Sequence, residues 1–192
     1  MFKYLALPAD QNKSLSALQK LAYAILASFV ITLSAKISIP MYPVPTTMQP
    51  FVVILLGCIM GPRLAVASVV VYLTQALFGL PVLQGPLSGP AALMGPTGGY
   101  LFGFLIAAYV CGVLYHNGFG RTFVSGLGLF TIGAICFDIP GVAWLTFIAN
   151  FDVAKAAYLS YQPAFVLKTG LGAAILAAIA HHRHHHKPNS KT

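Results

Sequence analysis

Apolar residues along the chain fall into runs of membrane-helix length, separated by proline, glycine and polar breaks. The first run, Leu21 to Ala35, is flanked by Lys20 and Lys36 and ends at Pro40, Pro43 and Pro45. The second, Phe51 to Met60, would be only about 15 Å long as a helix. Gly61-Pro62-Arg63 turns it into a third run, Leu64 to Phe78. A loop rich in Gly and Pro, Gly79 to Gly98, precedes a fourth run that reaches Leu114, and His116, Asn117, Gly118, Gly120 and Arg121 form the next break. The fifth run extends from Phe123 toward Leu145, interrupted by Asp138 and by Pro140, which suggests a broken helix. A polar segment, Asn150 to Gln162, follows, and a sixth run begins near Pro163 and ends before His181. The pattern predicts an all-α, polytopic membrane protein: one membrane domain over 1–192, a six-helix bundle with spans near 15–39, 50–60, 63–78, 99–115, 122–145 and 163–180, and a tail at 181–192.

Composition strengthens this reading. Hydrophobic residues make up 58% of the 192, charged ones 7%, and the mean hydropathy of +0.81 lies outside the range of soluble domains. The net charge of +8 comes from eleven Lys and Arg against three acids, Asp10, Asp138 and Asp152. Nucleic acid binding is one reading of such a charge; basic residues in short cytoplasmic loops are the other, and the composition favours it, so no nucleic-acid partner is expected. Six spans put Lys3, Lys13, Lys20, Arg63, Arg121, Arg183, Lys187 and Lys191 on the side of the termini and only Lys36, Lys155 and Lys168 toward the other face. The partition predicts cytoplasmic termini.

Little in the chain points to catalysis. Cys58, Cys111 and Cys136 lie inside apolar runs without metal or redox spacing and read as small buried residues. Ser125 has Phe123 where an intramembrane protease would need glycine, and His116 has no acid or nucleophile near it in sequence. No nucleotide-binding loop is present, so a transporter of this kind would draw its energy from a partner or a gradient. The first apolar run starts well inside the chain with no small-residue cleavage pattern after it, and is expected to stay as a span. The tail His181-His182-Arg183-His184-His185-His186 would bind divalent metals in vitro, but no metal or cofactor role is assigned to it.

Three segments of the outward face are polar or stiffened by proline: 39–49, 79–98 and 150–168. They are either a lid and pocket wall, pre-ordered by proline, or plain connections. Lys168 lies a few residues inside the sixth run, where a cation must snorkel to the interface or find a partner such as a ligand carboxylate. Asp138 could pair with a lysine, bind a polar ligand group or carry a proton, although a structural hydrogen-bonding role is favoured. Asp152 and Lys155 read as an exposed pair. Ala24 and Ser28 on the first span, and Gly99 and Gly103 on the fourth, have small-residue spacing that serves packing within the chain or docking of a partner subunit.

The order Ile-Pro-x-x-Pro-Val-Pro-Thr-Thr-x-Gln at 39–49, Leu-x-Gly-x-x-x-Gly-Pro-Arg at 55–63, Gly-Leu-Pro-Val at 79–82, Gly-Pro-Thr-Gly-Gly-Tyr-Leu-x-Gly-Phe at 95–104 and Gly141-Val-Ala-Trp144-Leu resembles the BioY family. The resemblance covers nearly the whole chain. It implies the six-helix fold of an energy-coupling factor (ECF) transporter S component, a non-enzymatic subunit of the bacterial cytoplasmic membrane that holds biotin near the outer face under the loop after the first helix. Its implied partners are a transmembrane scaffold subunit, docked through the first helices, and two ATPases that use the ATP. For biotin, an apolar and aromatic slot with a few polar groups and one cation is expected. Tyr42, Thr47, Gln49, Tyr100 and Trp144 are the candidates for the slot and its polar groups, and Lys168 for the cation. The family's last helix usually opens Pro-Gly-Asp-Leu-x-Lys, with acid and lysine facing the ligand; here Phe165 stands at the aspartate position and Lys168 is kept.

Overall fold

Ser16 opens the first helix through a capping box: its hydroxyl accepts from the Gln19 N–H at 3.2 Å, and the Gln19 amide oxygen accepts from the Ser16 N–H at 2.9 Å. The structure, a computed structural model, describes residues 15–41, 44–85 and 89–185. Seven α-helices occur among them: α1 (Ala17–Lys36), α2 (Gln49–Met60), α3 (Pro62–Leu77), α4 (Pro90–Leu93), α5 (Gly98–His116), α6 (Phe123–Ile148) and α7 (Phe151–His185). A two-residue antiparallel ribbon, β1 (Ser38–Ile39) with β2 (Thr46–Thr47), links α1 to α2 and pairs Ser38 with Thr47 and Ile39 with Thr46. Tyr42, one of the candidate site residues, lies outside the described residues, as does the end of the histidine-rich tail.

Four helices, α1, α5, α6 and α7, are long and apolar enough to cross a bilayer. α2 and α3, of 12 and 16 residues, fall short of that length, and α4 is a single turn within the 79–98 loop. Seven helices therefore stand where the sequence pattern predicts six. Gly61 explains the abrupt α2–α3 reversal: at φ 85° it closes α2 and opens α3, and Pro62 follows at the first helical position, where its missing N–H costs nothing.

Two sequence expectations are corrected here. α6 runs unbroken through Pro140, and the polar segment 150–162 is not a connection but the first part of a 35-residue α7 that continues through Pro163. Asn150 nucleates this helix by accepting from the Val153 N–H at 2.9 Å, and Ala154 and Ala157 then pack against Leu145 of α6. Neighbouring helices supply the packing that lets an interior proline persist despite the hydrogen bond it removes.

The core forms where α2, α5 and α6 meet, with Ile54, Cys58, Phe104, Cys111, Leu129 and Phe137 at its centre. Small residues set the spacing. A Cβ on Gly57 would stand 2.7 Å from the Ala108 carbonyl oxygen, and one on Gly103 would stand 2.6 Å from the Phe137 Cα. Gly99 likewise faces Trp144, so the 99/103 pair packs within the chain. Ala24 and Ser28 are buried in the bundle, Ala24 in a cluster with Ala27, Met60 and Leu64. Hydroxyls on these helices bond to their own backbone, as Ser28 does to the Ile25 carbonyl at 2.7 Å and Ser68 to Leu64 at 2.8 Å.

Candidate functional site

One end of the bundle gathers the C-terminus of α1, the N-terminus of α2, the 79–98 loop, the N-terminus of α5 and the α6–α7 corner. A cavity of about 270 Å³ opens among them. Its walls come from Val44 to Thr47, Gln49 and Pro50, from Leu83 to Gly85, from Ala92 and Gly95 to Thr97, and from Tyr100, Leu101 and Phe104 of α5. Phe137 and Asp138 of α6 and Ala157, Tyr158 and Tyr161 of α7 complete it.

Gln49 organises the mouth. It is 4% exposed, and its amide donates to the Tyr72 hydroxyl at 2.5 Å while its carbonyl accepts from the Thr47 hydroxyl at 3.1 Å. Tyr72 in turn donates to the Val82 carbonyl at 3.3 Å, so one chain of bonds ties β2, α2, α3 and the 79–98 loop together. The Gln49 amide keeps a second N–H and an acceptor lone pair, and the residue borders the cavity. Lys36, read from sequence only as a flanking charge, holds the same loop by donating to the Pro81 carbonyl at 2.9 Å and the Leu83 carbonyl at 2.8 Å.

The aromatic wall is interlocked. Tyr100 and Phe137 rings stand 6.1 Å apart, and Tyr161 meets Phe137 edge-on at 5.8 Å. Gly141 leaves the space that the Tyr100 ring fills.

The sequence-derived candidates separate into three groups. Thr47, Gln49 and Tyr100 line the cavity. Trp144 does not; its indole donates to the Gly95 carbonyl at 2.9 Å and anchors the loop that leads into α5. Lys168, 8% exposed, sits behind the wall: its ammonium donates to the Thr47 carbonyl at 2.7 Å and lies 4.8 Å from the centre of the Tyr161 ring. It borders only a minor void of about 10 Å³, together with Phe165. In this geometry Lys168 ties α7 to the ribbon through the carbonyl of Thr47, itself a residue of the cavity wall.

Sequence reasoning missed Tyr158 and Tyr161, which it placed in a connection. A helical reading exposes the signal: Ala154, Ala157, Tyr161, Phe165 and Lys168 recur at three- and four-residue intervals on one face of α7. Asp138 stands out in the sequence as an acid inside an apolar run, but its position on the cavity wall follows only from how α6 meets α5 and α7.

These features define a helical integral membrane protein with a small-molecule cavity at one end of its bundle. The BioY family model matches residues 9–188, and the chain belongs to the BioY family. It is 36% identical over 159 residues to the probable biotin transporter BioY of Pyrococcus horikoshii, covering 82% of this chain and 92% of that one. With the biotin transporter BioY of Thermotoga maritima it shares 35% identity over 137 residues, covering 70% and 78%. A crystal structure of the S-component for biotin from an ECF-type ABC transporter superposes with a TM-score of 0.72 at 27% identity, covering 91% of this chain and 94% of that one.

Proposed function

We propose that this chain is the biotin-binding, substrate-specific subunit of an ECF-type uptake transporter and has no enzymatic activity of its own. The observation that carries this reading is the cavity at the bundle end, walled by the segments in which the family-like motifs fall: 44–50 and 95–104. Its volume of about 270 Å³ lies just below the usual range for drug-sized ligand sites, which suits a compact vitamin. Phe104, Phe137 and Tyr100 offer apolar faces to a bicyclic thioether, while Thr47 and Gln49 offer hydrogen bonds to its polar rim. Trp144 and Lys168 hold the walls in place. The transported ligand needs no cofactor in this subunit.

Under this reading the bundle crosses the bacterial cytoplasmic membrane six times, with the shorter α2 and α3 sheltered by their neighbours. Lys20, Arg63 and Arg121 cluster at the end opposite the cavity, which by the positive-inside rule is cytoplasmic, so the cavity faces outward and both termini inward. Energy comes from a transmembrane scaffold subunit and two ATPases, since this chain carries no nucleotide-binding loop.

The test is equilibrium binding of labelled biotin to detergent-purified protein, with thiamine and riboflavin as competitors. Saturable binding displaced by unlabelled biotin alone supports the proposal. Folded, monodisperse protein that binds no biotin, or is displaced equally by another vitamin, rejects it.

A further inference from the structure

Asp138 is the one charged residue among those lining the cavity. A carboxylate in the interior of an apolar helix is costly and persists where a partner compensates it. Asp138 stands ten residues before the end of α6, about 15 Å along the helix, too far for its short side chain to reach the interface. The hydroxyls of the same helix solve their problem locally: Thr131 donates to the Leu127 carbonyl and Thr146 to the Val142 carbonyl, at 2.9 and 2.8 Å. A carboxylate has nothing to donate and only accepts. Among the described residues no donor is hydrogen-bonded to it. Tyr100, Tyr161 and Lys168 lie near enough to interact with it electrostatically, yet none of them is hydrogen-bonded to it, and Lys168 donates to the Thr47 carbonyl instead. The carboxylate is half-buried, with its remaining access toward the cavity. Its position is rigid, because Phe137 is locked against Gly103 and Gly141 against Tyr100.

We propose that Asp138 is the ligand-orienting acceptor of this cavity, taking one ureido N–H of the bound molecule through a charge-assisted hydrogen bond. This rests on the reading of the cavity as a biotin site and adds a pose to it. The two N–H groups of a cyclic urea diverge, so one carboxylate engages one of them and leaves the other to the Thr47 and Gln49 side. The same negative charge repels the ligand's own carboxylate, which therefore points away from α6, toward the 83–85 segment.

A double-mutant cycle between protein and ligand tests the pose. Biotin and its two singly N-methylated ureido derivatives are titrated against the full-length chain and against Asp138→Asn. The substitution should weaken biotin by roughly 10- to 100-fold, the range of a hydrogen bond to a charged group. One methylated isomer should lose a similar factor on the unmodified chain and several-fold less on the variant, where the asparagine carbonyl leaves only an uncharged acceptor for the bond. Equal loss for all three ligands, or an unaffected variant, overturns the proposal. Should Asp138→Asn not fold, infrared difference spectroscopy decides on the native side chain. The chain has only three acids, so ¹³C-aspartate protein carrying Asp10→Asn and Asp152→Asn reports Asp138 alone. A carboxylate band that shifts on adding biotin supports the contact, and one that does not move overturns it. Failure of the unmodified chain to bind biotin rejects the cavity reading itself, whereas binding without coupling to Asp138 rejects only the pose.

Discussion

The half of the bundle away from the cavity is held by close packing, whereas the half near the cavity adds polar links between the helices to its glycine contacts. Away from the cavity, α2, α5 and α6 meet through glycine and thiol-bearing side chains: Gly57 against Ala108, Gly112 against the Gly57 carbonyl, Gly133 against Ile54 and Cys111. Their strength is close backbone approach, as expected where lipid removes the usual hydrophobic drive between helices. Near the cavity the helices are held by polar links: Gln49 to Tyr72, Lys168 to Thr47, Lys36 to Leu83, Trp144 to Gly95. The dry half makes the fold rigid. The polar half gives up packing to keep a cavity open, and compensates with directed hydrogen bonds that also shape it.

This contrast can be broken from either side. The largest effect is expected in the dry half: Gly57→Val would drive a side chain into the Ala108 carbonyl, 2.7 Å from the Cβ alone. Neither backbone can yield, so a loss of about 3 kcal/mol or more is expected, read as aggregation or a large fall in melting temperature in detergent. Gln49→Leu should cost about 1–3 kcal/mol by leaving Tyr72 and Thr47 short of a partner; biotin titration should show weakened binding as well.

Lys168→Met separates the two rules. It removes the clamp on Thr47 but also relieves a buried cation. Melting temperature should change little while biotin affinity falls by about tenfold, the factor of one hydrogen bond near 1.4 kcal/mol. Parallel losses in both would show that the clamp supports the fold and not the site. Trp144→Phe keeps an aromatic ring but loses the bond to Gly95 and part of the indole's packing, for about 1–2 kcal/mol by thermal melt. Val124→Ala, at a side chain 76% exposed, should stay within about 0.5 kcal/mol and serves as the baseline.

How far each region could be read from sequence follows the same division. Apolar runs and their proline and glycine stops located α1, α5 and the Gly61-Pro62 reversal, because these depend on local chemistry. The same rules misread Pro140 and Pro163 as breaks. A proline ends a helix when water can take over the freed carbonyl; where neighbouring helices hold the chain on both sides, continuing is the better solution. That error hid Tyr158 and Tyr161 in a supposed loop. Ala24 and Ser28 show a second limit, since small-residue spacing signals close approach but does not say to which partner.

What the sequence by itself determined is the membrane class, the helical composition and the family, together with Thr47, Gln49 and Tyr100, which all border the cavity. Hydropathy, turn chemistry and ordered motifs are properties of short stretches and survive without coordinates. Only the tertiary structure decided that Lys168 clamps a carbonyl while Asp138 faces the cavity, because 30 residues and a helix corner separate the two. Which of two buried charges meets the cavity depends on the rotation of α6 and α7 about their axes. The glycine contacts of α5 with α6 and of α6 with α7 set that rotation, and no local pattern reports it.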